Sequence, residues 1–156
     1  MLINLSELLK SEIGSVLEAK IKIPPQKLGE EISLAQPLVG EAKLIKQAKG
    51  VLVHFNLSGV LKLLCFRCNN NFLKKIKIKF DQNYVWPKGS ENVSFEEEQE
   101  EGFLIKPDNM LDPWPAIRQE IILSQPMKIL CKPSCKGLCP VCGKDLNKGS
   151  CKHIKS

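Results

Sequence analysis

The stretch CKPSCKGLCPVCGKDLNKGSCKH, residues 131–153, decides how this chain is read. It holds five of the seven cysteines, Cys131, Cys135, Cys139, Cys142 and Cys151, and one of the two histidines, His153. A chain that returns within two to four residues aims two soft donors at one point, which is the sequence mark of a tetrahedral metal site. Outward from this stretch, the remaining two cysteines form a second close pair, Cys65-Phe66-Arg67-Cys68. Eight donors suffice for two closed four-ligand sites, and the expected cofactor is zinc, as one ion or two.

Cys139-Pro140-Val141-Cys142-Gly143 is the strongest local signal. It has the pattern of a zinc knuckle, in which a glycine after the second cysteine takes a left-handed backbone and frees N–H groups to face sulfur. Cys151 and His153 follow closely enough to complete a local site with it. Cys65, Cys68, Cys131 and Cys135 would then form a long-range site that clips the tail to the middle of the chain. Two other partitions stay open, because spacing alone does not fix pairing. Cys65 and Cys68 could join Cys139 and Cys142 in an all-thiolate ribbon, or a single site could be filled. Iron–sulfur is the rival occupant, disfavoured by the histidine and the lysine-rich setting. A thioredoxin-like role for Cys65-x-x-Cys68 needs a βαβ setting, and the flanking pattern is strand–turn–strand.

The rest of the chain supplies the scaffold. Val16–Ile23 alternates, with Leu17, Ala19, Ile21 and Ile23 opposed to Glu18, Lys20 and Lys22, which predicts a half-buried strand ended by Pro24-Pro25. Residues 38–49 and 51–64 read as two strands about Gly50, the second with Val51, Val53, Phe55, Leu57, Leu61 and Leu63 on one face and His54 on the other. His54 is read as an ordinary surface histidine, and Gly59 as a bulge. Residues 72–80 form the next strand, which makes the Cys65–Cys68 turn a hairpin tip. Lys75, Lys77 and Lys79 line one face of that strand, as befits a sheet edge. Tyr84 and Trp86 are read as core lids, and 26–37 as a loop or irregular edge. At the N-terminus, Met1, Ile3 and Leu5 alternate before a short helical turn capped by Ser6. The predicted helix spans 112–125, with Asp112 as N-cap, Pro113 at the first helical position, and Trp114, Ile117 and Ile121 as its buried stripe. Arg118 and Glu120 are expected to face water. The fold class is therefore α+β: a mostly antiparallel sheet, a C-terminal helix and a zinc-knuckle tail. The division is a β-rich domain over 1–125 and a cysteine-rich tail over 126–156.

Charge is unevenly placed. Residues 1–125 carry sixteen basic and sixteen acidic side chains, whereas 126–156 carry seven lysines against the single Asp145. The net charge of +6 thus sits on the tail, where Lys128, Lys132, Lys136, Lys144, Lys148 and Lys152 make a contact for a polyanion, or else a solvated surface. An acidic run at 88–102 reads as a solvated loop, with intramolecular shielding of the tail as the sharper option. No stretch is apolar enough to span a membrane, and the N-terminus lacks a signal-peptide pattern, so the chain is expected in the cytoplasm. In that reducing compartment seven cysteines favour metal over disulfides. No nucleophile–base pair or phosphate-cradling loop is present, so no enzyme is expected, and no small-molecule substrate.

Cys65-x-x-Cys68 after a strand, Glu120-Ile-Ile-Leu-Ser-Gln-Pro126 and the run from Leu130 to Asn147 resemble the YceD family, from about residue 15 onward. The resemblance implies a part in accumulation or processing of large-subunit ribosomal RNA, through binding to that RNA or to a pre-ribosomal particle. It maps onto all seven cysteines; the family's last position is commonly a cysteine, and here it is His153. With only Arg67 and Arg118 in the chain, contact is expected to be to backbone and shape rather than to base edges. The alternative is a protein–protein adaptor that docks a ribosomal protein or a nuclease.

Overall fold

The computed structural model describes residues 1–30, 32–86 and 103–153. The acidic run at 88–102, and with it the shielding idea, lies outside the described residues. In chain order the elements are β1 (Ile3–Asn4), α1 (Ser6–Lys10), β2 (Val16–Ile23), β3 (Ile32–Leu34), β4 (Leu38–Gln47), β5 (Gly50–Leu64), β6 (Asn71–Val85), β7 (Met110–Leu111) and α2 (Trp114–Leu123).

Period-two patterning produces one antiparallel sheet, as expected. β2 pairs β4, β4 pairs β5, and β5 pairs β6 along its whole length, from Gly50 opposite Val85 to Leu64 opposite Asn71. Where β4 stops, β3 takes its place beside β5, with Leu34 opposite Leu61. The stretch read as a loop or irregular edge contains a short strand, β3: three residues are too few to show a period, and it is the uncovered flank of β5 that recruits them. Among the described residues β6 has β5 as its only strand partner and meets Leu104 at a single bridge, so the lysine-lined strand is an edge.

One face of the sheet is the core. Val51, Val53, Phe55, Leu57, Leu61 and Leu63 are buried there with Ile21, Ile23, Leu38, Leu44 and Ile78. Phe55 stacks on Phe80 across the strands, ring centroids 4.7 Å apart. Leu5 and Leu8 from the N-terminal segment and Ala116, Ile117 and Ile121 from α2 complete the same cluster. β1 and β7 pair with each other and tie the N-terminus to the segment before α2. Tyr84 is fully buried, edge-on to Phe103, and Trp86 packs against the core, so both are lids. His54 lies on the opposite face, paired with Asp81.

Three local expectations need correction. Gly59 is no bulge, since the β5–β6 register runs through it unbroken; a side chain there would meet Leu38 Cδ1 at 2.9 Å, so the glycine makes room for Leu38. Ser6 does not cap α1. Its N–H donates to Asn4 Oδ1 at 2.8 Å, which puts the capping side chain two residues earlier. α2 begins at Trp114, not at residue 112, and ends at Leu123. Asp112 still receives the Trp114 N–H at 3.1 Å, because proline at 113 supplies no donor of its own. Arg118 is exposed, yet its Nη2 donates to Leu28 O at 2.8 Å and ties the helix to the β2–β3 connection.

Candidate metal centres

The long β5–β6 hairpin carries the first pair of cysteines on its tip. The Cys65 N–H donates to Asn70 O at 3.0 Å and the Asn69 N–H to Cys65 O at 2.9 Å, which closes the turn. Asn69, the residue after the second cysteine, has φ 55°. In the tail, Gly143 holds the equivalent place after Cys142, with φ 70°. Both turns therefore use a left-handed residue behind the second sulfur, one supplied by glycine and one by asparagine, the next most tolerant side chain.

The tail docks on this tip through its backbone. The Phe66 N–H donates to Ile129 O at 2.9 Å and the Leu138 N–H to Arg67 O at 3.2 Å. Arg67 Nη1 reaches Cys135 O at 3.0 Å. Gly137, φ 77°, passes close enough that an added Cβ would sit 3.0 Å from Arg67 O. As a result Cys65, Cys68, Cys131 and Cys135 converge, with all four sulfurs within 4.8 Å of one another. Cys65 and Cys135 sulfurs are 3.8 Å apart and Cys68 and Cys131 sulfurs 3.7 Å. Tetrahedral thiolates bonded at about 2.3 Å to one ion lie about 3.8 Å apart, so the spacing fits a shared ion. It is far beyond an S–S bond, and all seven cysteines are free thiols.

Cys139, Cys142, Cys151 and His153 form a second group of the same tightness. Cys151 Sγ lies 3.3 Å from Cys142 Sγ, 3.6 Å from Cys139 Sγ and 3.2 Å from His153 Nδ1. The Cys139 N–H donates to Lys144 O and the Gly143 N–H to Cys139 O, each at 2.9 Å. The first group is nearly enclosed: Cys65, Cys68 and Cys135 are buried with Phe72 and Leu130 against them. The second is open, with Cys142 and His153 exposed.

Backbone amides prepare two donors in the first group, Cys65 and Cys135, and one in the second, Cys139. Burial pushes the Cys65 thiol up, but the N–H groups of Cys68, Cys131 and Arg67 pull it down further, to about 6. The N–H groups of Cys142 and Val141 hold Cys139 at about 6, against the opposing effect of burial. Cys68 and Cys131 are pushed up, first by burial. Four crowded sulfurs cannot all be anionic without a cation among them. A doubly charged ion removes that conflict, so the donors present fit a bound divalent metal.

Sequence reasoning missed the side chains that join the two groups. Asn147 Nδ2 donates to Cys135 Sγ at 3.4 Å, and its Oδ1 accepts the Lys136 N–H at 3.0 Å. Asp145 accepts from the Asn147 N–H at 2.9 Å and from its Nδ2 at 2.8 Å. The other Asp145 oxygen accepts from Asn70 Nδ2 at 2.7 Å, on the hairpin tip. These bonds, the Asn147 N–H first, hold the Asp145 carboxyl below its ordinary value. The one acid of the tail is therefore a cross-brace between loop 143–150 and the hairpin. The only sequence signal was a lone Asp two residues before an Asn, an Asx-turn pattern that names no distant partner.

The six candidate contact lysines, Lys128, Lys132, Lys136, Lys144, Lys148 and Lys152, are all exposed. Lys144 Nζ donates to Ser150 O at 2.8 Å. None of these six lysines forms an ion pair with another described residue. The eight predicted donors fall into the two groups of the two-site partition. The ribbon of Cys65, Cys68, Cys139 and Cys142 is not assembled.

A sheet whose longest hairpin meets the C-terminal tail in one four-donor cluster, with a second formed by the tail alone, defines a protein of the thiolate-knuckle class, in which each cluster could hold a metal ion. This chain belongs to the YceD family: the family model described as "Large ribosomal RNA subunit accumulation protein YceD" matches residues 53–156. The match begins inside β5 and takes in all eight donors; the resemblance read in the sequence started earlier, near residue 15. No curated protein and no solved structure matches the chain. No helix among the described residues is long and apolar enough to cross a membrane.

Proposed function

We propose that this protein carries two structural zinc ions and acts without catalysis in the accumulation or processing of large-subunit ribosomal RNA in the cytoplasm, binding that RNA or its pre-ribosomal particle through the lysines of the tail. The observation that carries this reading is the tail itself. Six exposed lysines are interspersed along the tail among the donors of the two clusters, and the tail's one acidic side chain is already engaged by Asn70 and Asn147. Three thiolates with an imidazole, and four thiolates, are donor sets that suit zinc. Zinc supplies cross-linking here. Tetrahedral coordination would use every donor in each group and leave no position for a reactive water, as a catalytic ion requires. The family description supports the RNA target.

The test is the salt dependence of binding between the metal-loaded chain and large-subunit ribosomal RNA fragments. Neutralising about six phosphates gives a slope of about −4 to −5 in log K against log salt. A slope near zero would refute contact through the tail lysines. One observation favours the adaptor reading. Phe66, at the tip of one knuckle, is 50% exposed and Val141, at the tip of the other, 70%. A saturable complex with a ribosomal protein or nuclease, lost on Phe66→Ser and Val141→Ser, and insensitive to salt, would replace the RNA reading with that one.

A further inference from the structure

We propose that the solvent face of the sheet, at the end next to the knuckles, is a second RNA-binding surface, one that takes the backbone of an A-form helix. This rests on the ribosomal-RNA reading above and locates a contact that the tail does not provide.

Register places the residues. On the face opposite the core, Leu73 of β6 lies across from Lys62 of β5, and Lys75 across from Val60. The next row runs Lys77, Ser58, Val39, Lys22 across four strands, and the one after it Lys79, Asn56, Glu41, Lys20. Lys22, Lys62, Lys75 and Lys77 are exposed, and no carboxylate shares these rows before Glu41. The acids gather at the far end, where Asp81 engages His54 and Glu18 lies across from Lys43. The sheet face is thus cationic toward the metal clusters and balanced away from them.

Edge protection accounts for the lysines of β6 and β2, both of them edge strands among the described residues. It does not account for Lys62, which sits on β5 between β3 and β6. Alternate β6 lysines are about 6.8 Å apart, and the four strands span about 15 Å, a footprint wide enough to meet phosphates across a groove. The same face carries no Phe, Tyr or Trp on any of these strands. Single-stranded RNA is bound by stacking bases on aromatic rings, whereas double-stranded RNA is recognised by phosphate and 2′-hydroxyl contacts. Lysine, serine and asparagine without an aromatic platform fit the duplex.

The experiment uses the full metal-loaded chain, an RNA duplex of about 16 base pairs and a single strand of equal length. The variant Lys62→Gln with Lys75→Gln and Lys77→Gln removes the acid-free patch. It should bind the duplex at least about tenfold more weakly at low salt, with a salt slope shallower by about three. The matching triple arginine variant should retain binding, and Lys43→Gln should leave it unchanged. If the wild-type chain binds RNA but the glutamine triple binds equally well, or if single strands are preferred, this surface is overturned while the ribosomal-RNA reading stands. If the wild-type chain has no affinity for duplex or for large-subunit RNA fragments, the functional reading itself has failed and this surface with it. Unchanged metal content and melting temperature of the triple variants keep the comparison one of binding.

Discussion

Asn147 makes no metal-type contact of its own, yet it links one cluster to the loop that carries the other. Its amide reaches Cys135 Sγ of the enclosed group, while its backbone belongs to the loop between Cys142 and Cys151 of the open group. Side chains that orient a ligand cost about 10–100-fold in metal affinity when removed. Asn147→Ala should therefore weaken the Cys65/Cys68/Cys131/Cys135 site by that factor, read by chelator competition, with two ions still bound at saturating metal. The left-handed residues allow a cleaner comparison. Gly137 and Gly143 both have positive φ, but only at Gly137 would a Cβ press on backbone, 3.0 Å from Arg67 O. Gly143→Ala should cost about 1–2 kcal/mol from backbone strain alone. Gly137→Ala should cost more, because the hairpin must move as well. Denaturant titration of the metal-loaded protein separates the two.

Among the elements, the β5–β6 hairpin and α2 decide where the tail goes. The hairpin projects Cys65 and Cys68 past the end of the core, and α2 sets the direction from which Cys131 arrives. Ile117 and Ile121 anchor that helix in the core with no exposed surface. Ile121→Ala removes buried methyl groups and leaves a cavity, at a cost of about 2–5 kcal/mol in thermal or denaturant unfolding. The donor set is untouched, so two ions per chain should remain at saturation. Here the sequence was an uneven guide. The long strands were legible from their period of two, because each has one wet face and one dry face. β3 was illegible, because its pairing depends on β4 ending short of β5, and that is a fact about the neighbour. The helix ends shifted by about two residues because proline at 113 removes a donor without fixing where the first full turn closes.

At the scale of the whole molecule there are two kinds of cohesion. The sheet and its helices share one continuous apolar cluster, whereas the metal end has only a small separate one around Cys65, Cys68 and Cys135. A structural zinc contributes about 10–16 kcal/mol of folding free energy in small metal domains. Chelation should thus collapse the amide dispersion of residues 126–153 while the sheet keeps its own; a tail that stays dispersed without metal refutes its dependence on the ions. Stoichiometry gives the second check. Cys65→Ser and Cys139→Ser should each drop from two ions per chain to one under the two-site arrangement. A loss of both ions in either variant would show that the clusters fill as a unit, through the Asp145–Asn147 brace.

The sequence by itself determined the sheet, the helix, the eight cysteine and histidine side chains that the fold gathers into two groups, and the charge asymmetry, because each of these is set by residue type and local spacing. The tertiary structure decided the partition of the donors, the brace of Asn70, Asp145 and Asn147, and the segregation of charge on the sheet's open face. Those depend on which backbone comes to lie beside which, and a contact such as Asn70 with Asp145, 75 positions apart, leaves no periodic trace along the chain.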